Sequence, residues 1–145
     1  MKNFTFLLCL LTCISAKSQL YYGTAGGVKI SKQQGQDLLI SVPIGYAFNS
    51  NMLIETQLHS TLGGTIAPTL MAGYKLDITE HAGLHFLVGV ADDLVIDPKQ
   101  FKTYSKYYRT ATVRLWMGQC MLQASTFNGS YFLGFGVIGF RNNEL

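Results

Sequence analysis

"LLISVPIGYAFNSNMLIETQL", Leu38 to Leu58, reads as two β-strands around a tight turn. Apolar residues fall on alternate positions. Leu38, Ile40, Val42, Ile44, Tyr46 and Phe48 lead in, and Met52, Ile54 and Leu58 lead out. Between them stand Ser41, Gly45 and Ala47, then Glu55, Gln57 and His59. Successive side chains of a strand point to opposite sides, so one side is oily and the other small or polar. An oily side turned inward makes the core of a soluble protein. Turned outward, it meets lipid.

The N-terminus sets the compartment. Lys2 is a positive n-region, and "FTFLLCLL", Phe4 to Leu11, is an apolar run too short for a membrane helix. "SAKSQ" follows with the small-x-small spacing of a secretory cleavage site at Ala16 and Ser18. Residues 1–18 therefore read as a signal peptide, and 19–145 as the mature domain. Lys2 and Lys17 leave with the leader, so the net charge of +3 falls to +1. No nucleic-acid partner follows from so small a charge. Cys9 and Cys13 leave too, and Cys120 is left alone, without an intramolecular disulfide partner.

Charged residues make up 13% of the chain, against roughly 25% in a soluble domain. No apolar run reaches the ~18 residues of a membrane helix. A closed β-barrel is the other fold that satisfies every backbone group in lipid. Period-two segments recur at Leu20–Ile30, Asp37–Phe48, Met52–Ser60, Thr65–Leu76, Ala82–Ala91, Thr110–Met117, Cys120–Phe127 and Ser130–Phe140. Eight strands of this length, split by turn signals, predict an all-β, antiparallel up-and-down transmembrane barrel. "RLWMGQCMLQAS" also reads as one continuous strand, which would change the count. Short links after strands two, four and six ("NSN", "DITEH", "GQ") suit periplasmic turns. The long stretch Asp92–Arg109 reads as an external loop whose second half extends strand six.

The predicted polar side is too poor in charge to face water. Small residues such as Ser41, Gly45, Ala47, Gly73 and Gly89 suit the inside of an eight-stranded barrel, which is just wide enough for side chains. The same register places Lys29, Glu55, His59, Lys75, His85 and Arg114 in the lumen. Unpaired charges there are costly, so Glu55 is expected to pair with Arg114 or Lys75. Ile54→Arg should block assembly, and Gln57→Arg should be milder. The external stretch holds Lys99, Lys102, Tyr104, Lys106, Tyr107 and Tyr108, a candidate contact surface for an extracellular ligand. The last strand leaves two oily faces open: Tyr131, Leu133, Phe135 and Val137, or Phe132, Ile138 and Phe140.

The leader ending "SAKSQ", the Gly-aromatic strand ends "GYAF", "GYKL" and "GVIGF", and the final strand "YFLGFGVIGF" resemble the small porin-like outer-membrane β-barrel proteins of Gram-negative bacteria. The resemblance is one of architecture and covers the mature chain. It implies an outer-membrane location, contact with outer-membrane lipid and insertion by the barrel-assembly machinery. That machinery reads a C-terminal aromatic residue in the family, whereas here Phe140 is followed by "RNNEL".

Catalytic and cofactor patterns are weak. His59-Ser60 raises an outer-membrane lipid hydrolase as a remote alternative, without an evident supporting acid. His81 and His85 would stand about 13 Å apart along a strand, too far to share a metal. "GTAGG", Gly23 to Gly27, lacks the strand-then-helix setting of a phosphate loop. The sequence thus predicts no enzyme and no cofactor. It predicts a structural, adhesion or surface-binding barrel, with a soluble lipocalin-like carrier of an apolar ligand as the alternative.

Overall fold

A computed structural model describes residues 19–31, 35–48, 51–62, 64–97, 102–127 and 129–142. Side chains are placed for these except at 93–97, 102–105 and 142, where the backbone alone is described. Eight strands pair antiparallel in chain order and close into a barrel. They are β1 (Gln19–Ser31), β2 (Gly35–Ala47), β3 (Met52–Thr61), β4 (Thr65–Thr79), β5 (Ala82–Asp97), β6 (Lys102–Met117), β7 (Cys120–Phe127) and β8 (Ser130–Asn142). Closure comes from β1 against β8, with Gln19 opposite Asn142 and Ser31 opposite Ser130. Closure leaves no sheet edge within the wall, the condition for crossing lipid with strands.

Alternation along the strands sorts the residues as lipid would require. Leu38, Ile40, Val42 and Ile44 of β2 point out, and Leu39, Ser41, Gly45 and Ala47 point in. On β3, Met52, Ile54 and Leu58 face out, while Leu53, Glu55, Gln57 and His59 are buried. β8 resolves its two oily faces the same way. Tyr131, Leu133, Phe135 and Val137 face out, and Phe132 and Ile138 are buried. The outward tyrosines Tyr22, Tyr46 and Tyr74 gather toward the β2–β3 turn end, as an interfacial girdle does. Ile54 lies directly opposite Tyr46. It therefore sits near that girdle rather than at mid-membrane.

Inward rings fit because glycine faces them. Tyr21 is paired across the sheet with Gly45, and Trp116 with Gly83. A Cβ at Gly45 would strike the Tyr21 phenol, and one at Gly83 would lie 2.8 Å from the Trp116 ring. The Phe132 ring covers Gly134 in the same way. This choice makes the inward face of β8 narrow enough for its large rings. Ring over glycine is a known device for pinning barrel register.

The turns follow local chemistry. Gly118 takes φ +59 at the first position of the two-residue β6–β7 loop, where a positive φ matches the twist of the strands. That residue divides "RLWMGQCMLQAS" into two strands. Asn51 closes the β2–β3 turn at φ 60, a region asparagine tolerates.

Two expectations are corrected. "DITEH" is not all turn. β4 runs on to Thr79, through a register shift between Asp77 and Thr79 opposite β5. Nor is Asp92–Arg109 a loop. β5 continues to Asp97 and β6 starts at Lys102, paired throughout from Asp97–Lys102 to Val90–Arg109. Hydrophobic alternation fades there because the hairpin stands beyond the apolar band. The backbone ladder continues there, with Asp93 in register with Lys106 and Asp97 with Lys102.

Candidate functional site

The lumen is layered. At the turn end sit Tyr21, His85, Trp116 and Phe140, with the Trp116 and Phe140 rings 4.8 Å apart. Lys75 closes this end. Its ammonium lies 3.1 Å from Asp77 and 3.2 Å from the Gln19 side-chain oxygen, over the rings of Trp116 and Phe140. Lys75 thus belongs to the mouth and does not meet Glu55.

The middle layer is a polar network centred on Arg114, which is fully buried. Its Nη1 donates to Glu55 Oε2 at 2.6 Å and its Nη2 to Glu55 Oε1 at 2.9 Å, a bidentate pair. Nε and Nη2 also donate to Gln123 Oε1, at 3.2 and 3.1 Å. Nη1 lies 3.3 Å from His85 Nδ1, which must accept because a guanidinium only donates. Gln57 donates from Nε2 to Glu55 Oε1, and Gln123 donates from Nε2 to Gln57 Oε1 and Ser125 Oγ. Thr112 and Ser125 share a further bond at 2.8 Å. These residues come from β3, β5, β6 and β7, so the network ties opposite walls of the barrel together. It fills the section at which a pore would have to pass.

Of the sequence-predicted lumen residues, the structure brings Glu55, His85 and Arg114 together and places Lys75 at one mouth and His59 toward the other. Gln57, Gln123 and Ser125, and Ser41, whose Oγ accepts from Gln123 Nε2 at 3.4 Å, were missed as partners. Their signal was present, since each holds an inward position on its strand, but an uncharged amide or hydroxyl announces nothing alone. Gln57→Arg is consequently no mild change. It would set a second cation beside Arg114.

The loop-end layer packs His59 edge-on to Phe127, with ring centroids 4.5 Å apart. His59 is buried in the lumen, whereas Ser60 points outward. The two stand on opposite sides of the wall, so they form no catalytic pair. Among the described residues, no cluster of three metal-ligating side chains occurs.

Above this layer, the β5–β6 hairpin leaves the rim. β7 pairs with β6 only from Thr110–Phe127 downward. Among the described residues, Lys102–Arg109 is therefore paired to β5 alone and presents an open edge. Eight residues of strand correspond to about 26 Å. Tyr107 is 74% exposed, Lys106 and Arg109 are exposed, and the Lys106 ammonium lies 5.5 Å from the centre of the Tyr108 ring. Lys102 and Tyr104 lie on this strand by backbone position. Lys99 falls outside the described residues.

No protein-family model matches the chain. No curated protein matches it either. Solved structures do. Ail, the attachment invasion locus protein of Yersinia pestis, is similar with a TM-score of 0.51 at 16% identity, over 85% of this chain and 98% of that one. A structure from the de novo design of transmembrane β-barrels gives a TM-score of 0.56 at 9% identity, over 86% and 95%. Likeness at these identities speaks to fold. The outward apolar band, the closed eight-stranded wall and these neighbours agree: the chain has the fold of the small outer-membrane β-barrels.

Proposed function

We propose that this protein is an outer-membrane barrel that binds a partner at the cell surface through the β5–β6 hairpin. In this reading residues 1–18 are a cleaved leader, the barrel-assembly machinery inserts the mature chain, and the long hairpin faces outward. The observation that carries it is the edge Lys102–Arg109, which among the described residues pairs with β5 alone. A protein has reason to blunt such an edge, because its free N–H and C=O groups recruit another chain. Here it is left open and set with tyrosines and cations, side chains suited to contact surfaces. The role in adhesion is read from this surface, with no part for catalysis.

The lipocalin-like alternative requires the reverse facing. Its apolar residues would line a ligand cavity, whereas here Ile40, Val88, Leu133 and Phe135 face out and a polar network fills the centre. The test is a barrel whose hairpin is shortened by joining Ala91 to Tyr108, which are paired across β5 and β6, through a two-residue turn. Adhesion of cells displaying it to immobilised matrix proteins and sulfated glycans should fall to the level of cells without the protein. The gel-shift on heating that marks a folded barrel should remain. Unchanged adhesion with the short hairpin, or a full-length protein that is monodisperse without detergent, would refute the proposal.

A further inference from the structure

Above the polar network, at the loop end of the lumen, lies a small cavity. Lys29, His59, Thr61, Thr65, Tyr108 and Phe127 stand in its lining. Its volume is about 20 Å³, room for a water molecule or the end of one side chain. His59 is 2% exposed, and neither ring nitrogen has a hydrogen-bond partner among the described residues. Buried polar groups left so are costly. Phe127 and Phe132 flank the ring and offer it no acceptor. Lys29 brings a cation to the same cavity. Asp37 stands opposite it in the β1–β2 ladder, yet no carboxylate of the described residues lies within ion-pair distance of it. A lysine, an imidazole N–H and threonine hydroxyls together suit an anion.

The hairpin shows where that anion would come from. Thr110, paired with Phe127 where the β6–β7 ladder ends, points into the lumen. Tyr108 and Lys106 follow on the same side of β6. A strand added along the open edge would continue the line of β7 beyond Phe127. Its residue opposite Tyr108 would share the lumen side and stand over the cavity. From this we propose that the cavity receives one carboxylate, carried by an acidic side chain of a partner protein's strand that pairs with the β6 edge. A sulfated glycan has no backbone amides to pair with that edge. A free carboxylic acid would give up its translational freedom for one small contact, whereas a side chain on a docked strand is already in place. A second copy's β6 edge is itself cationic and would meet Lys106 and Arg109 with like charge.

The inference rests on the surface-binding reading of the hairpin and deepens it. The probe is a fluorescent strand peptide, acetyl-Thr-Glu-Thr-Glu-Thr-Glu-Thr-amide, with its all-glutamine counterpart, each titrated against the full barrel in detergent. The glutamate peptide should bind roughly tenfold more tightly. Lys29→Met should erase most of that difference and leave glutamine-peptide binding unchanged. His59→Leu carries the test if Lys29→Met loses its heat-modifiable band. The isotope-labelled ring nitrogens of His59 should shift in NMR spectra with the glutamate peptide and not with the glutamine one. A glutamate preference that both variants leave intact, or His59 nitrogens that neither peptide moves, would overturn the inference while the hairpin reading stands. Peptides that bind the shortened-hairpin barrel as well as the native one, or that bind neither, would overturn the hairpin reading together with it.

Discussion

Removing one partner of the Glu55–Arg114 pair should destabilise the barrel far more than removing both. Both side chains are fully buried. In Glu55→Leu, the Arg114 guanidinium loses its carboxylate and is left with neutral acceptors, among them the Gln123 oxygen and His85 Nδ1. In Arg114→Met, the Glu55 carboxylate loses its cation and keeps the neutral donor Gln57. Each single change strands a buried charge, which costs about 3–5 kcal/mol. Two independent losses would sum to about 6–10 kcal/mol. The double variant strands no charge. It leaves Gln57 and Gln123 one partner short, at about 1–3 kcal/mol. The cycle should therefore show a coupling of several kcal/mol. Equilibrium urea unfolding from lipid vesicles measures it, read by the fluorescence of Trp116, the single tryptophan, which is 5% exposed. Single variants that each lose under about 1 kcal/mol would mean that the network is solvated and weak. A double variant as unstable as the sum would mean that the pair is not coupled. Either result refutes the account of the central layer.

Val88→Arg, at a position 66% exposed on the outward face of β5, should cost about 2–4 kcal/mol in vesicles. Ile54→Arg should cost less, because Ile54 neighbours Tyr46 of the girdle; equal penalties by the same unfolding assay would contradict the depth assignment. Gly136→Ala would place its Cβ 2.6 Å from the Ala25 Cα and against the Thr24 carbonyl. It should lower stability by about 1–3 kcal/mol, while Gly26→Ala, whose Cβ would meet nothing within 4 Å, stays near the native value; the fraction of heat-modifiable band after folding separates them.

Much of the fold was legible because it rests on period two. The apolar residues of "LLISVPIGYAF" and "MLIETQL" sort onto one side whatever the neighbours do, and the opposite side is too poor in charge to be the one that faces water. Glu55, His85 and Arg114 were found in the lumen by the same parity. What parity could not show was which of them meet. Residues 55 and 114 are separated by 59 positions, and only barrel closure decides that β3 and β6 face each other across the lumen. Lys75 has the right parity and the wrong height. The β5–β6 hairpin differs from the expected loop for a related reason: its strands are held by a backbone ladder that runs past the apolar band, and an apolar pattern is blind to that.

The sequence by itself determined the strand positions and the side that meets lipid, since alternation is a local property of an extended chain. The tertiary structure decided the rest. It set the height of each residue in the lumen, the partners of Arg114 and, among the described residues, the edge left open at Lys102–Arg109. Each of these depends on the stagger between strands distant in sequence, and that stagger exists only once the barrel has closed.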